Sequence, residues 1–135
     1  MVPFNIILAE DHPLFRQLVR LELEGIRDIQ IIGEAQDGLQ LLELLRLVQP
    51  DLVILDISMP NLGGLEAAKI IKAQYIHIKV LILTMHKNPA YITQARLIGA
   101  EGYLLKEELD RELLPAIDMI RGGQTYFPST LTGYP

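Results

Sequence analysis

Four apolar runs of this sequence end on polar residues that could together form a reactive site. Glu10 and Asp11 follow the first run, Asp56 the second, Thr84 the third and Lys106 the fourth. Carboxylates about 4 Å apart repel by roughly 4 kcal/mol in a protein, so such a trio needs a cation or a proton. All-oxygen ligands favour a hard ion such as Mg²⁺, which often shares its shell with phosphate. A hydroxyl and an ammonium group could then stabilise a transferring phosphoryl group, with Asp56 as its nucleophile.

Parallel strands would bring these residues together, because the carboxyl ends of such strands open on one rim of the sheet. The apolar runs predict strands at Asn5–Ala9, Ile29–Gly33, Leu52–Leu55, Lys79–Leu83 and Gly102–Leu104. Helical spacing of apolar residues predicts helices at Leu14–Glu24, Leu39–Val48, Leu65–Ala73, Ala90–Ile98 and Arg111–Arg121. Five βα units with right-handed crossovers predict an α/β, doubly wound fold with strand order 2-1-3-4-5 and helices on both faces.

Several local signals place the helix ends. Pro13, Asp37 and Asn88-Pro89 are start signals for the first, second and fourth helices. Pro115 falls inside the last predicted helix, where proline removes a backbone hydrogen bond. We therefore expect that helix to start late or to kink.

Composition limits the class of protein. The 135 residues suit one domain, and 50% hydrophobic with 21% charged residues is an ordinary globular balance. The net charge of -5 argues against direct DNA binding by this segment. The sequence has no cysteine and no apolar run of membrane-spanning length. We expect a cytoplasmic protein without membrane attachment.

Four short motifs resemble those of response-regulator receiver domains of two-component systems. They are the acidic pair in AEDH, the aspartate in LDISMPNLGGLEA, the threonine in ILTMH and the lysine in GAEGYLLK. The resemblance covers residues 4–123. It extends to the NarL/FixJ subfamily through DHPLFR, LTMH, GAEGYLLK and the RGGQTYFPSTL ending.

The resemblance implies a flavodoxin-like (βα)5 fold and a role for each matching residue. Asp56 would be the phosphoacceptor, Thr84 and Lys106 would contact the phosphoryl oxygens, and Thr84 and Tyr103 would form the conformational switch. The implied Mg²⁺ ligands are Glu10, Asp11, Asp56 and the backbone carbonyl of Ser58. One departure concerns Glu107, which stands where many receivers have a proline with a cis bond before it.

The resemblance also implies partners and a division of the chain. Residues 1–123 would be the receiver domain, and residues 124–135 a tail or the start of a linker to an absent helix-turn-helix output domain. A sensor histidine kinase would supply the phosphoryl group, and phosphorylation would promote a homodimer. DNA would be bound only through the output domain, so the expected function is transcriptional regulation without enzymatic turnover of an external substrate.

Other functions stay open at this point. An aspartate-nucleophile phosphohydrolase commonly has a second acid two positions after the nucleophile, where this chain has Ser58. A phosphorylation-independent interaction module would not need the acidic pair, and a flavodoxin-like electron carrier would place it against a flavin phosphate. His12, His77 and His86 lack the spacing of metal ligands, which favours non-catalytic roles for all three.

Overall fold

Five parallel strands alternate with five α-helices in a computed structural model that describes residues 2–128. The strands are β1 (Phe4–Ala9), β2 (Ile29–Ala35), β3 (Leu52–Leu55), β4 (Lys79–Thr84) and β5 (Gly102–Leu105). The helices are α1 (Pro13–Leu23), α2 (Gly38–Leu47), α3 (Gly64–Gln74), α4 (Pro89–Ile98) and α5 (Leu109–Arg121). The strand order is β2-β1-β3-β4-β5, which confirms the predicted fold.

Each buried strand supplies side chains to two cores, because successive residues of a strand point to opposite faces. On β3, Val53 and Leu55 pack with α2, α3 and α4, whereas Leu52 and Ile54 pack with α1 and α5. All four side chains are fully buried. Burial on both faces explains why β3 is a continuous apolar run and why a polar residue follows only at its end.

The expected helix starts are present. The side chain of Asp37 caps α2 by accepting a hydrogen bond from the Gln40 N–H at 2.8 Å, and Asn88 caps α4 through the Ala90 N–H at 2.9 Å. The Gln40 bond, with a second from the Asn61 side chain at 2.6 Å, lowers the pKa of Asp37.

The last helix does not start late, so that half of the expectation is wrong, and the alternative of a kink at Pro115 stays a prediction. A 3-10 turn over Lys106–Glu108 leads directly into α5, whose first residues include the buried Leu109 and Leu113. Burial of these leucines stabilises the first turn, so the helix begins before Pro115. Pro115 itself faces solvent, where water can satisfy the carbonyl group that proline leaves without a donor.

The chain after α5 returns to the sheet. Tyr126 pairs with Gly102 beside β5: its N–H donates to the Glu101 carbonyl and its carbonyl accepts from the Tyr103 N–H, both at 2.9 Å. The Arg96 guanidinium lies 4.0 Å from the centre of the Phe127 ring. Tyr126 and Phe127 thus lie against β5 and α4. The rest of the segment predicted as a tail or linker, residues 129–135, lies outside the described residues.

Within residues 2–128 every peptide bond is trans, including the one between Lys106 and Glu107. Over the same range no helix is long and apolar enough to cross a bilayer.

Candidate functional site

The carboxylates lie together at the ends of β1 and β3. These strands are hydrogen-bonded neighbours, with Ala9 opposite Leu55, and the Asp56 N–H donates to the Ala9 carbonyl at 3.2 Å. This register sets Asp56 beside the acidic pair that follows β1. Glu10 and Asp56 are only 1% and 4% exposed, so two carboxylates are held nearly out of water at this rim.

Lys106 provides the positive charge that these buried acids need. Its Nζ lies 2.8 Å from Glu10 Oε1 and 3.0 Å from Asp56 Oδ2, and it also faces the Phe15 ring at 4.5 Å. Burial disfavours the charged amine and by itself would lower its pKa. The hydrogen bonds and charges of Glu10 and Asp56 outweigh burial, so the pKa of Lys106 is raised and the amine stays an ammonium.

The remaining acidic oxygens suit a divalent cation. Within residues 2–128, Asp11 Oδ1 is buried and makes no hydrogen bond, and it lies 3.2 Å from His12 Nδ1. Glu10, Asp11, His12 and Asp56 can each direct one ligand atom into a group whose members lie within 4.8 Å of one another. A buried carboxylate oxygen within a net negative cluster is the environment that a hard cation stabilises.

Thr84 and Ser58 lie on the β4 side of this rim and meet at His86. Thr84 is fully buried at the end of β4, and its hydroxyl oxygen accepts a long hydrogen bond of 3.4 Å from the His86 N–H. The hydroxyl of Ser58 is 2.7 Å from His86 Nε2, and its N–H donates to Asp56 Oδ1 at 3.4 Å. The two loops that follow β3 and β4 are therefore linked beside Asp56.

Tyr103 joins β5 to the same loop. Its side chain is fully buried, and its hydroxyl donates to the His86 carbonyl at 2.7 Å. The pKa of Tyr103 is raised because the phenol is buried and because ionisation would place a negative charge near Tyr91 and Asp56. The neutral, hydrogen-bonded phenol therefore fixes the position of the chain after Thr84.

Gly64 lets α3 begin close to Asp56. Its N–H donates to the Ile57 carbonyl at 2.9 Å. A Cβ atom at this position would overlap the Asp56 carbonyl oxygen and lie 2.6 Å from the Asp56 carbonyl carbon. Only glycine fits this contact, so Gly64 also shapes the loop that carries Asp56.

The structure gathers Glu10, Asp11, Asp56 and Lys106 as the strand pattern predicts. The Thr84 hydroxyl bonds to the loop instead of to a carboxylate, which leaves its predicted phosphoryl contact a prediction. Sequence reasoning missed Phe15 beneath Lys106 and set His12 aside. The His12 ring lies against the acidic pair, and only its position next to that pair in the sequence could have suggested this.

Comparisons with known proteins agree with this geometry. Residues 6–118 match the family described as "Response regulator receiver domain". The chain belongs to this family. The match runs from within β1 into α5 and includes every residue of the site.

Related proteins are transcriptional regulators. DegU of Brevibacillus brevis is 33% identical over 128 residues, and the response regulator UvrY of Escherichia coli is 38% identical over 130 residues. These alignments cover 95% and 94% of this chain but only 54% and 58% of the relatives. The chain therefore spans little more than half the length of the curated relatives it matches.

Solved structures show the same fold. A LuxR-family response regulator from an Aurantimonas species is 32% identical with a TM-score of 0.90, and the alignment covers 96% of this chain and 92% of that one. The isolated receiver domain of Salmonella RcsB with phosphomimetic BeF3⁻ is 28% identical with a TM-score of 0.90, and 96% of each chain is covered. Together with the NarL, DegU and UvrY relatives, these matches confirm the expected subfamily.

Proposed function

We propose that this domain accepts a phosphoryl group on Asp56 from a sensor histidine kinase. In this reaction an Asp56 carboxylate oxygen bonds to phosphorus as the bond from phosphorus to the donor nitrogen breaks. The leaving imidazole keeps the electron pair. The observation that carries the proposal is the buried carboxylate of Asp56, with an ammonium group 3.0 Å away and further carboxylates beside it.

Each neighbouring residue has a role in this proposal. Lys106 neutralises charge on the phosphoryl oxygens once they replace its present carboxylate partner, and the Thr84 hydroxyl turns to donate to another of them. The acidic pair, Asp56 and the Ser58 carbonyl would hold Mg²⁺. When bound, the ion would neutralise charge on the phosphoryl group.

The same contacts offer a route to a conformational change. If the Thr84 hydroxyl donates a hydrogen bond to a phosphoryl group, its present bond to the His86 N–H would change, and with it the loop that includes His86. Tyr103 holds the same loop through the bond from its hydroxyl to the His86 carbonyl. We infer that phosphorylation alters the surface near α4 and β5 and thereby promotes a homodimer.

The proposal extends to the protein's place in the cell. The relatives are longer transcriptional regulators, and dimers of the relative RcsB have been seen bound to DNA. We propose that this domain likewise controls a helix-turn-helix output domain that binds DNA, and that it acts in the cytoplasm. Its chemistry would be phosphate acceptance and at most its own dephosphorylation, without turnover of an external substrate.

The deciding experiment is labelling with a small phosphodonor, with and without Mg²⁺, read by intact mass. Wild type should gain one phosphoryl group only when Mg²⁺ is present, and Asp56→Asn should gain none. Asp51→Asn is the matched control, since Asp51 precedes β3 and its carboxylate accepts a hydrogen bond from the Asn5 N–H at 2.7 Å, away from the site. Equal labelling of wild type and Asp56→Asn would refute the assignment.

A further inference from the structure

The loop between β3 and α3 is fastened to the start of α2. The Asn61 side chain donates to Asp37 Oδ2 at 2.6 Å, and the Gly38 N–H donates to the Leu62 carbonyl at 3.0 Å. A Cβ atom on Gly38 would overlap the Leu62 carbonyl oxygen, so the two backbones are in direct contact. The loop that begins at Asp56 is therefore held at its far end by another element.

Asp37 uses its two carboxylate oxygens for two different bonds. Oδ1 accepts from the Gln40 N–H at 2.8 Å and caps α2, whereas Oδ2 accepts from the Asn61 side chain. These bonds lower the pKa of Asp37, so the carboxylate is ionised at neutral pH. A helix cap needs only one oxygen, so the second is free to hold the loop with a charge-assisted hydrogen bond.

The loop is also closed on itself, so a displacement at Asn61 would be passed along it. Asn61 has a φ of 68°, in the left-handed region that asparagine adopts more readily than most residues. Next to it, the Leu62 N–H donates to the Pro60 carbonyl at 2.7 Å. The Gly64 N–H donates to the Ile57 carbonyl at 2.9 Å and joins the end of the loop to its beginning.

Ser58 connects this closed loop to the site. Its N–H donates to Asp56 Oδ1 at 3.4 Å, and its hydroxyl is 2.7 Å from His86 Nε2. We propose that Asp37 is a positioning residue that, through Asn61, holds Ser58 and the Asp56 carboxylate in the arrangement that accepts a phosphoryl group. The inference rests on the proposed phosphorylation of Asp56 and adds a residue that acts on that reaction through the loop.

Two substitutions break the bond and spare the local backbone. Asp37→Ser keeps an oxygen that can cap α2 but has no second oxygen to reach Asn61. Asn61→Gly removes the amide group and adopts the left-handed conformation without strain. Each should slow Mg²⁺-dependent labelling of Asp56 about tenfold at saturating phosphodonor, since a misplacement of about 1 Å can cost about a hundredfold. The midpoint of urea unfolding should change little in either variant.

Further variants separate positioning from a general effect on the fold. Asp37→Asn should restore most of the labelling rate, because its oxygen keeps the cap and its amide can donate to the Asn61 side chain once that group turns over. If the bond carries the effect, the double variant Asp37→Ser/Asn61→Gly should label no more slowly than either single variant. Gln40→Ala is the matched control, because the Gln40 side chain accepts from the Gln36 N–H at 2.9 Å, at the same end of α2. It should label like wild type.

Hydrogen exchange gives a readout that needs neither phosphodonor nor metal. The Gly38 amide, which donates to the Leu62 carbonyl, should exchange faster in Asp37→Ser and in Asn61→Gly than in wild type. In Gln40→Ala it should exchange as in wild type. Should Asp37→Ser fold poorly, Asn61→Gly decides the question alone.

Failure of this inference differs from failure of the proposed function. The proposed function fails if wild type is not labelled on Asp56. The inference is overturned if wild type is labelled and folded Asp37→Ser and Asn61→Gly are labelled at the same rate. Additive slowing in the double variant would overturn it too, because the two residues would then act independently.

Discussion

Replacing Lys106 with methionine should destabilise the metal-free protein strongly. The ammonium lies 2.8 and 3.0 Å from two carboxylate oxygens, and its side chain is only 8% exposed. Coulomb's law gives about 6 kcal/mol for each contact at an effective dielectric of about 20, before the cost of desolvation. Removing one member of a buried ion pair costs roughly 3–5 kcal/mol, because the remaining charge is left uncompensated.

We expect a loss of about 3 kcal/mol, at the lower end of that range. The assay is urea unfolding at neutral pH with a chelator present. With a slope of about 1.5 kcal/mol per molar urea, the midpoint should fall by about 2 M. Added Mg²⁺ should stabilise Lys106→Met more than wild type, because the ion supplies the missing positive charge without competition from the amine.

Lys87→Met is the matched control. Lys87 Nζ pairs with Glu107 at 2.9 Å, but both side chains are 60% exposed, so this change should lower the urea midpoint far less than Lys106→Met does. Because the pKa of Lys106 is raised above its ordinary value of 10.5, its contribution is complete below pH 10.5 and is lost as the pH rises further. Equal midpoints for Lys106→Met and Lys87→Met would refute the electrostatic reasoning.

Two further predictions test the surroundings of the site. Gly64→Ala should lower the free energy of unfolding by about 3 kcal/mol and reduce labelling of Asp56, because the new Cβ overlaps the Asp56 backbone. The control is Gly122→Ala, whose Cβ would lie 3.5 Å from its nearest neighbours. It should lower the free energy of unfolding far less in the same urea assay. An alkaline titration of wild type and Tyr103→Phe can be followed by tyrosinate absorbance. The absorbance that wild type gains over Tyr103→Phe should appear above pH 10.0, since burial raises the pKa of Tyr103. The folded state holds the Tyr103 proton more tightly than the unfolded state does. The stability of wild type relative to Tyr103→Phe should therefore fall as the pH rises past 10.0. A difference centred at pH 10.0 would contradict the buried, hydrogen-bonded phenol.

Local sequence was sufficient for the architecture and for the acids and amine of the site. The short apolar runs at Leu52–Leu55 and Lys79–Leu83 leave no polar face, as is typical of strands covered on both sides by helices. Once the strands are parallel, Asp56 and Lys106 must lie on the same rim. The ends of elements were less predictable: β2 continues to Ala35 beyond the expected Gly33, because pairing with β1 continues there.

Tertiary structure decided the contacts that no local pattern contains. Three contacts depend on how separate segments of the chain pack together. They are the ion pair of Lys106 with Glu10, the hydrogen bond of Tyr103 to the His86 carbonyl, and the turn of the His12 ring toward the acids. Gly64 shows the same limit, since its need for glycine arises from a backbone eight positions earlier in the chain. Periodicity and propensity depend only on the residues of one segment. The contacts of these side chains follow from how several segments pack around one another.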